Sequence, residues 1–226
     1  MMRNALIMFT LLIIVINCTN CQSKKSDNEI VATMVNSINN QYDSIRTFFE
    51  KEMIDHFPQN IDTTNIEMSW SVSGDFGMYN LEITNKYAHD SLFPLISVLE
   101  SSCIAKYVGS DTCFLIPFRF LNKENILHRN DMSKSQIMNL SEVNYRSCSK
   151  SKYPVPNFWS NKFTSQETEW KLSNDFVLYV LDSKPGLYAN NLKKETFMPD
   201  AWKNGFSKGV AVSENKSVVI YWLIIW

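Results

Sequence analysis

Five cysteines, three histidines and 23 acidic residues are the side chains through which this chain could do chemistry, and their spacing decides which chemistry is open to it. Cys18-Thr19-Asn20-Cys21 has the C-x-x-C spacing that presents two thiols for disulfide exchange. It lies directly behind a long apolar run, however, where no folded redox site is expected. His56, His89 and His128 are far apart, without the one-turn spacing that sets two imidazoles on one metal. No H-E-x-x-H, G-x-S-x-G or phosphate-loop pattern occurs, and six glycines in 226 residues leave little material for a glycine-rich anion cradle. A nucleophile drawn from Cys103, Cys113 or Cys148 with His128 as base is formally available, yet no local pattern favours it. Asp75, Glu82, Asp111 and Glu124 show no paired arrangement suited to acid–base work. The carboxylates are therefore expected as solvated surface charge and the histidines as surface or helix-end residues. No catalytic residue, metal ligand or cofactor is assigned.

The chain begins Met1-Met2-Arg3-Asn4 and continues with an apolar run from Ala5 to Ile16, interrupted only by Thr10. One cation ahead of about twelve apolar residues has the dimensions of a signal peptide, while a bilayer-crossing helix needs roughly twenty. Val15-Ile16-Asn17-Cys18 follows, and this order resembles the lipobox of bacterial lipoproteins. The resemblance implies that residues 1–17 are removed, that Cys18 becomes a lipid-carrying N-terminus, and that the protein is anchored in the cell envelope at the outer membrane. Asn17 departs from the usual Gly, Ala or Ser, and Cys21 is the rival attachment site. A plain secretory signal and a cytosolic chain with an apolar first helix are the other readings. The polar run Thr19 to Asn28 makes a short solvated spacer, and 29–226 is expected to form one α+β domain.

Removing 17 of 226 residues leaves 209, enough to bury a sizeable core. Arg3 is the only charge lost, so 21 cations face 23 acids and the net charge is −2. A near-neutral balance argues against nucleic acid as a partner, because binding its phosphates demands a basic surface. Of the cysteines left after lipidation, Cys103 and Cys113 bracket an expected helix-to-strand turn, and they are the pair selected for a disulfide in an oxidising envelope. Two independently buried thiols are the alternative.

The positioning elements follow from periodicity. Ser26-Asp27-Asn28-Glu29 has the form of a capping box, and Val31, Val35, Ile38, Tyr42, Ile45, Phe49 and Met53 then step by three and four. The spacing predicts a long N-terminal helix of about 28 residues, laid across a mostly antiparallel sheet. Ile66 to Val72 and Tyr79 to Ile83 alternate around a glycine-containing turn and predict a hairpin. Asp90 or Ser91 is expected to cap a helix that ends near Gly109, and Thr112 to Leu121 is expected as an edge strand. Met132 to Val143 suggests a short helix. Tyr153-Pro154-Val155-Pro156-Asn157-Phe158-Trp159 reads as an extended loop, either pinned to the domain or lining a groove. Phe176 to Leu181 is expected as a buried strand, and Met198 to Trp202 as a turn of helix. Phe206 to Val212 and Ser217 to Trp226 predict a second hairpin, whose last strand is apolar on both faces and therefore central.

Trp202, Gly205-Phe206-Ser207-Lys208-Gly209 and Tyr221-Trp222 through Trp226 are similar to the ends of uncharacterised Bacteroidota lipoproteins. That resemblance implies an envelope address and no activity. Three function classes follow. The first is a binding or structural module anchored to the membrane through its lipid, with an unknown protein, peptide or glycan as ligand, met through a sheet face or the proline/aromatic loop. The second is an immunity or inhibitor lipoprotein acting on a toxin or hydrolase. The third is an envelope hydrolase whose site is assembled only in the fold.

Overall fold

The computed structural model describes residues 27–61, 66–73, 78–117, 148, 151–158, 161–165, 171–186 and 198–226. The chain divides into two compact units, 1–43 and 44–226. The described part of the first is helix: α1 spans Asp27–Arg46, so only its last turn belongs to the second unit. The expected helix of about 28 residues is therefore not supported, since α1 has 20. After it the amides of Thr47, Phe48 and Phe49 bond three residues back, to Ser44, Ile45 and Arg46, and the Thr47 hydroxyl also donates to the Ser44 carbonyl at 2.7 Å. Tightened bonding and a side chain competing for the backbone end the helix, although the apolar period continues through Phe49 and Met53. Met53 falls instead on a separate one-turn helix, α2 (Lys51–Ile54).

The second unit is an α+β fold around one antiparallel sheet. Its strands are β1 (Ile66–Ser73), β2 (Met78–Lys86), β3 (Ala105–Val108), β4 (Val177–Pro185), β5 (Gly205–Ser213) and β6 (Val218–Ile225), with α3 (His89–Ser102) between β2 and β3. The order across the sheet is β1-β2-β6-β5-β4-β3, and every neighbouring pair is antiparallel. Both predicted hairpins form: Val72 pairs with Tyr79 in the first, and Val212 with Val219 in the second. β6 is central between β2 and β5, and every residue of β5 and β6 is buried, as the doubly apolar run requires.

Each face of the sheet has its own cover. Ala211, Ile220, Trp222 and Ile224 join Leu178 and Val180 on one face, under Phe114, Leu115, Ile116, Val155, Phe158 and Leu172. Over its described residues, 153–158, the proline/aromatic loop is therefore pinned to the core. Pro154 to Phe158 are all buried, the Val155 amide donates to Leu115, and Ser207 donates to the Pro154 carbonyl at 2.6 Å. On the other face Tyr221 meets Phe57, and α3 packs on β4 with Leu92 and Leu99 inward. With both faces of its centre occupied, the sheet has no open central face for a ligand.

Three further boundaries differ from expectation. Ala88 caps α3 rather than Asp90 or Ser91, and the helix ends at Ser102 instead of near Gly109, because β3 pairing begins at Ala105. In the described part of the expected 112–121 strand, only Leu115 makes a bridge, parallel to Pro154 outside the sheet. β4 runs past the expected stop at Asp182 to Pro185, absorbing Leu181 in a bulge between Val180 and Asp182. The expected helix at 132–143 lies outside the described residues.

Candidate functional site

Two polar clusters inside the fold lie around Trp222 on β6, one on each face of the sheet. On the first face Glu82 of β2 stands opposite Trp222, and Thr84 lies one step along the same face. Glu82 is 2% exposed, which corrects its expected place on the surface. A carboxylate buried among apolar groups needs compensating donors, and Asn161 of the covering layer supplies one: its Nδ2 donates to Glu82 Oε1 at 2.5 Å and to Thr84 Oγ1 at 2.9 Å. Asn161 is itself held, since its Oδ1 accepts from the Phe163 amide at 3.0 Å. The result is a polar rivet joining β2 to the layer above it. Phe158 lies edge-to-face with the Trp222 ring beside this rivet.

On the opposite face the segment after α2 carries Asp55, His56 and Phe57. Lys208 of β5 points into this layer, where its ammonium bonds to Asp55 Oδ1 at 2.7 Å and to the Glu52 carbonyl. His56 Nε2 lies 3.0 Å from the carbonyl oxygen of Trp222, an acceptor only, so Nε2 carries the proton. Nδ1 is left 3.8 Å from Asp55 Oδ1, without a hydrogen bond. Burial, with the Lys208 charge adding to it, drives the His56 pKa down to about 4, against weaker opposing pulls from the Trp222 carbonyl and Asp55. His56 is therefore a neutral clasp with a buried side chain; of the expected surface or helix-end placement, the helix end holds, since it follows α2 and its cap Asp55, and the surface does not. Burial alone would raise the Asp55 pKa, but the Lys208 bond and charge bring it below the ordinary carboxylate value.

A third group surrounds the disulfide. Cys113 is bonded to Cys148, with 5.7 Å between their Cα atoms, and Cys103 is the free thiol among the described residues. The expected Cys103–Cys113 pairing is therefore not formed. β3 intervenes between those two cysteines, and its pairing to β4 fixes Cys103 at the end of α3 while the chain turns at Gly109 to deliver Cys113 into the covering layer. Asp111 Oδ1 accepts from the Cys113 amide at 2.7 Å and its other oxygen pairs with Lys152. Tyr107 Oη accepts from the Tyr153 amide at 2.8 Å. Asp111 is thus a paired, half-buried group and not solvated surface charge; burial pushes its pKa up, and Lys152 and the Cys113 amide more than reverse this.

These arrangements lock segments together. Among the described residues no set of three His, Cys, Asp or Glu side chains converges on a metal position. The void between Phe114, Ile116, Val155, Pro156, Phe158, Lys171, Leu172 and Leu178 is too narrow to admit water. His89 is exposed at the start of α3. Cys18, Cys21, Asp75, Glu124 and His128 lie outside the described residues. Sequence reasoning passed over Asn161 and Lys208, and it weighed Cys148 as a nucleophile without selecting it for the disulfide. Lys208 did carry a signal, because it occupies an apolar phase of the alternation Phe206, Lys208, Val210, Val212. Asn161 carried none.

No protein-family model, curated protein or solved structure matches the chain.

Proposed function

We propose that this protein is a cell-envelope lipoprotein, anchored through Cys18 at the outer membrane, whose sheet domain binds or scaffolds another macromolecule. The observation that carries the reading is the Cys113–Cys148 disulfide in a chain that opens with a signal-like run and a lipobox-like Val15-Ile16-Asn17-Cys18. Structural disulfides persist in oxidising compartments and are rare in the cytosol. The polar clusters support a binding rather than a catalytic role: Glu82 and the His56 side chain are covered and engaged in holding layers together. No described helix is long and apolar enough to cross a membrane, and in this reading the anchor is the lipid on Cys18. Stable attachment needs more than one acyl chain, which a lipoprotein modification at Cys18 provides.

Intact mass combined with membrane fractionation tests the proposal, comparing wild type with Cys18→Ser in a bacterial host. The expected wild-type product starts at Cys18, carries diacylglycerol and acyl mass, and sediments with membranes; the variant loses both properties. A mass and location unchanged by the substitution would overturn the anchor.

A further inference from the structure

Residues 51–61 lie over β5 and β6 without joining the sheet. Met53, Ile54, Phe57 and Ile61 of this segment are buried, and Phe57 meets the Tyr221 ring at a centroid distance of 6.1 Å. Three polar bonds fasten it to the strands below. His56 Nε2 donates to the Trp222 carbonyl at 3.0 Å, and the Lys208 ammonium donates to Asp55 Oδ1 at 2.7 Å and to the Glu52 carbonyl. The imidazole has a place for one proton and not for two. Its side chain is 6% exposed, Nε2 is committed to the carbonyl, and Nδ1 makes no hydrogen bond. A proton on Nδ1 would face Asp55 Oδ1 at 3.8 Å, the oxygen that Lys208 already holds. Of the other charged and titratable groups on the packed elements, Glu50, Lys51 and Glu52 are exposed, and Arg46 of α1 bonds to Gln59. The Tyr221 hydroxyl of β6 pairs with that of Tyr87 at 2.6 Å.

We propose that residues 51–61 are an acid-released latch: when His56 takes up a second proton, the segment lifts from β5 and β6 and uncovers the apolar sheet face around Tyr221. An imidazolium in that place sets two cations, His56 and Lys208, on one carboxylate, and a covered charge without its own partner is costly. Lifting the segment returns His56, Lys208 and Asp55 to water in one local movement. The sheet need not follow, because β6 is paired along its length with β2 and β5 and takes none of that ladder from the latch. Segments that cover a sheet without adding a strand open below the free energy of global unfolding. The seated imidazole has a pKa of about 4 and the lifted one the ordinary 6.5, so falling pH favours the lifted form across that window. Between pH 7.5 and 5 its population should rise about thirty-fold. Asp55 titrates below its ordinary 3.8 and stays ionised over this interval. The latch does not depend on the lipid anchor.

Amide hydrogen exchange on the full-length protein, in detergent where lipidated, tests this at pH 7.5 and 5, with rates corrected for the intrinsic effect of pH. The Met53 and Phe57 amides, bonded to the Glu50 and Ile54 carbonyls, report the latch, and the β6 amides report the sheet. Latch amides should open more than about ten-fold more often than β6 amides, and with little dependence on added denaturant, as a local movement requires. Their opening should rise about thirty-fold on going to pH 5. His56→Gln still reaches the Trp222 carbonyl and does not titrate, so its latch should open equally at both pH values. Latch amides that match β6 in opening and in denaturant slope would show that the segment leaves only with the whole fold, and would overturn the proposal. So would latch opening unchanged by pH in the wild type, or a full acid response in His56→Gln. The first two outcomes are read on the wild type alone, whatever the variant's folding.

Discussion

His56 shows how a single side chain sets a pH dependence in this fold. Its pKa in the folded chain is about 4, below the ordinary 6.5, so between those values the unfolded chain binds a proton that the folded chain excludes. Stability must then fall as pH drops from about 6.5 towards 4 and be fully retained above that window. The depressed carboxylates act lower. Asp55, Asp111 and Asp175 have folded pKa values below 3.8, so the stability they add is lost only as pH falls below that range. For Asp175 burial opposes the shift, but Lys216, Ser173 and Ser213 outweigh it. We expect the melting temperature to decline in two stages on acidification. His56→Gln can still donate to the Trp222 carbonyl and has nothing to titrate, so it should flatten the first stage and leave the second. A thermal melt series from pH 7.5 to 2 reads the first stage whole and the onset of the second, and an unchanged first stage in the variant would remove His56 from the account.

At the scale of the element, the hairpin of β5 and β6 depends on Gly209 having no side chain. Gly209 is paired with Trp222, and a Cβ there would press into the Trp222 indole and the Tyr179 carbonyl from two directions. The backbone on one side cannot yield, and the ring on the other is fully buried under Phe158. Gly209→Ala is expected to lower stability by about 3 kcal/mol, seen as a shifted denaturant midpoint with unchanged slope. Gly186 makes the useful contrast: its φ of +126° strains an alanine, but nothing lies within 4 Å, so Gly186→Ala should cost about 1 kcal/mol. The hairpin itself was legible because strict alternation around a turn has few other meanings, and a nine-residue apolar run needs cover on both faces. The end of α1 was not legible from the apolar period, since Thr47 breaks the helix by its hydroxyl without disturbing that spacing. Glu82 and His56 were misread for a related reason. Their partners, Asn161 and the Trp222 carbonyl, are 79 and 166 residues away in sequence, and a polar residue whose partner is remote looks like surface.

For the whole molecule the Cys113–Cys148 bond is the constraint that reaches furthest. It closes a separation of 35 residues and fixes Cys148 beside the start of the Phe114–Ile116 covering segment. In the chain-entropy view a loop of that length contributes roughly 3–4 kcal/mol by restricting the unfolded chain, which in a domain of this size is roughly 10 °C of melting temperature. Cys113→Ser and Cys148→Ser should each lose this amount, and the double variant should lose little more than either single, because one bond is removed in all three. Cys103→Ser, at a free thiol, should melt as wild type under the same conditions. Thermal melts of the four variants with and without a dithiol reductant measure the whole set. Reductant should bring wild type down to the level of the double variant and leave that variant unmoved. The same bond links stability to location, since a chain retained in a reducing cytosol would lack its clamp and one exported to an oxidising space would gain it. Loss of stability on Cys103→Ser equal to that on Cys148→Ser would show that the clamp is placed elsewhere, and the physical case for an envelope protein would lose its main support.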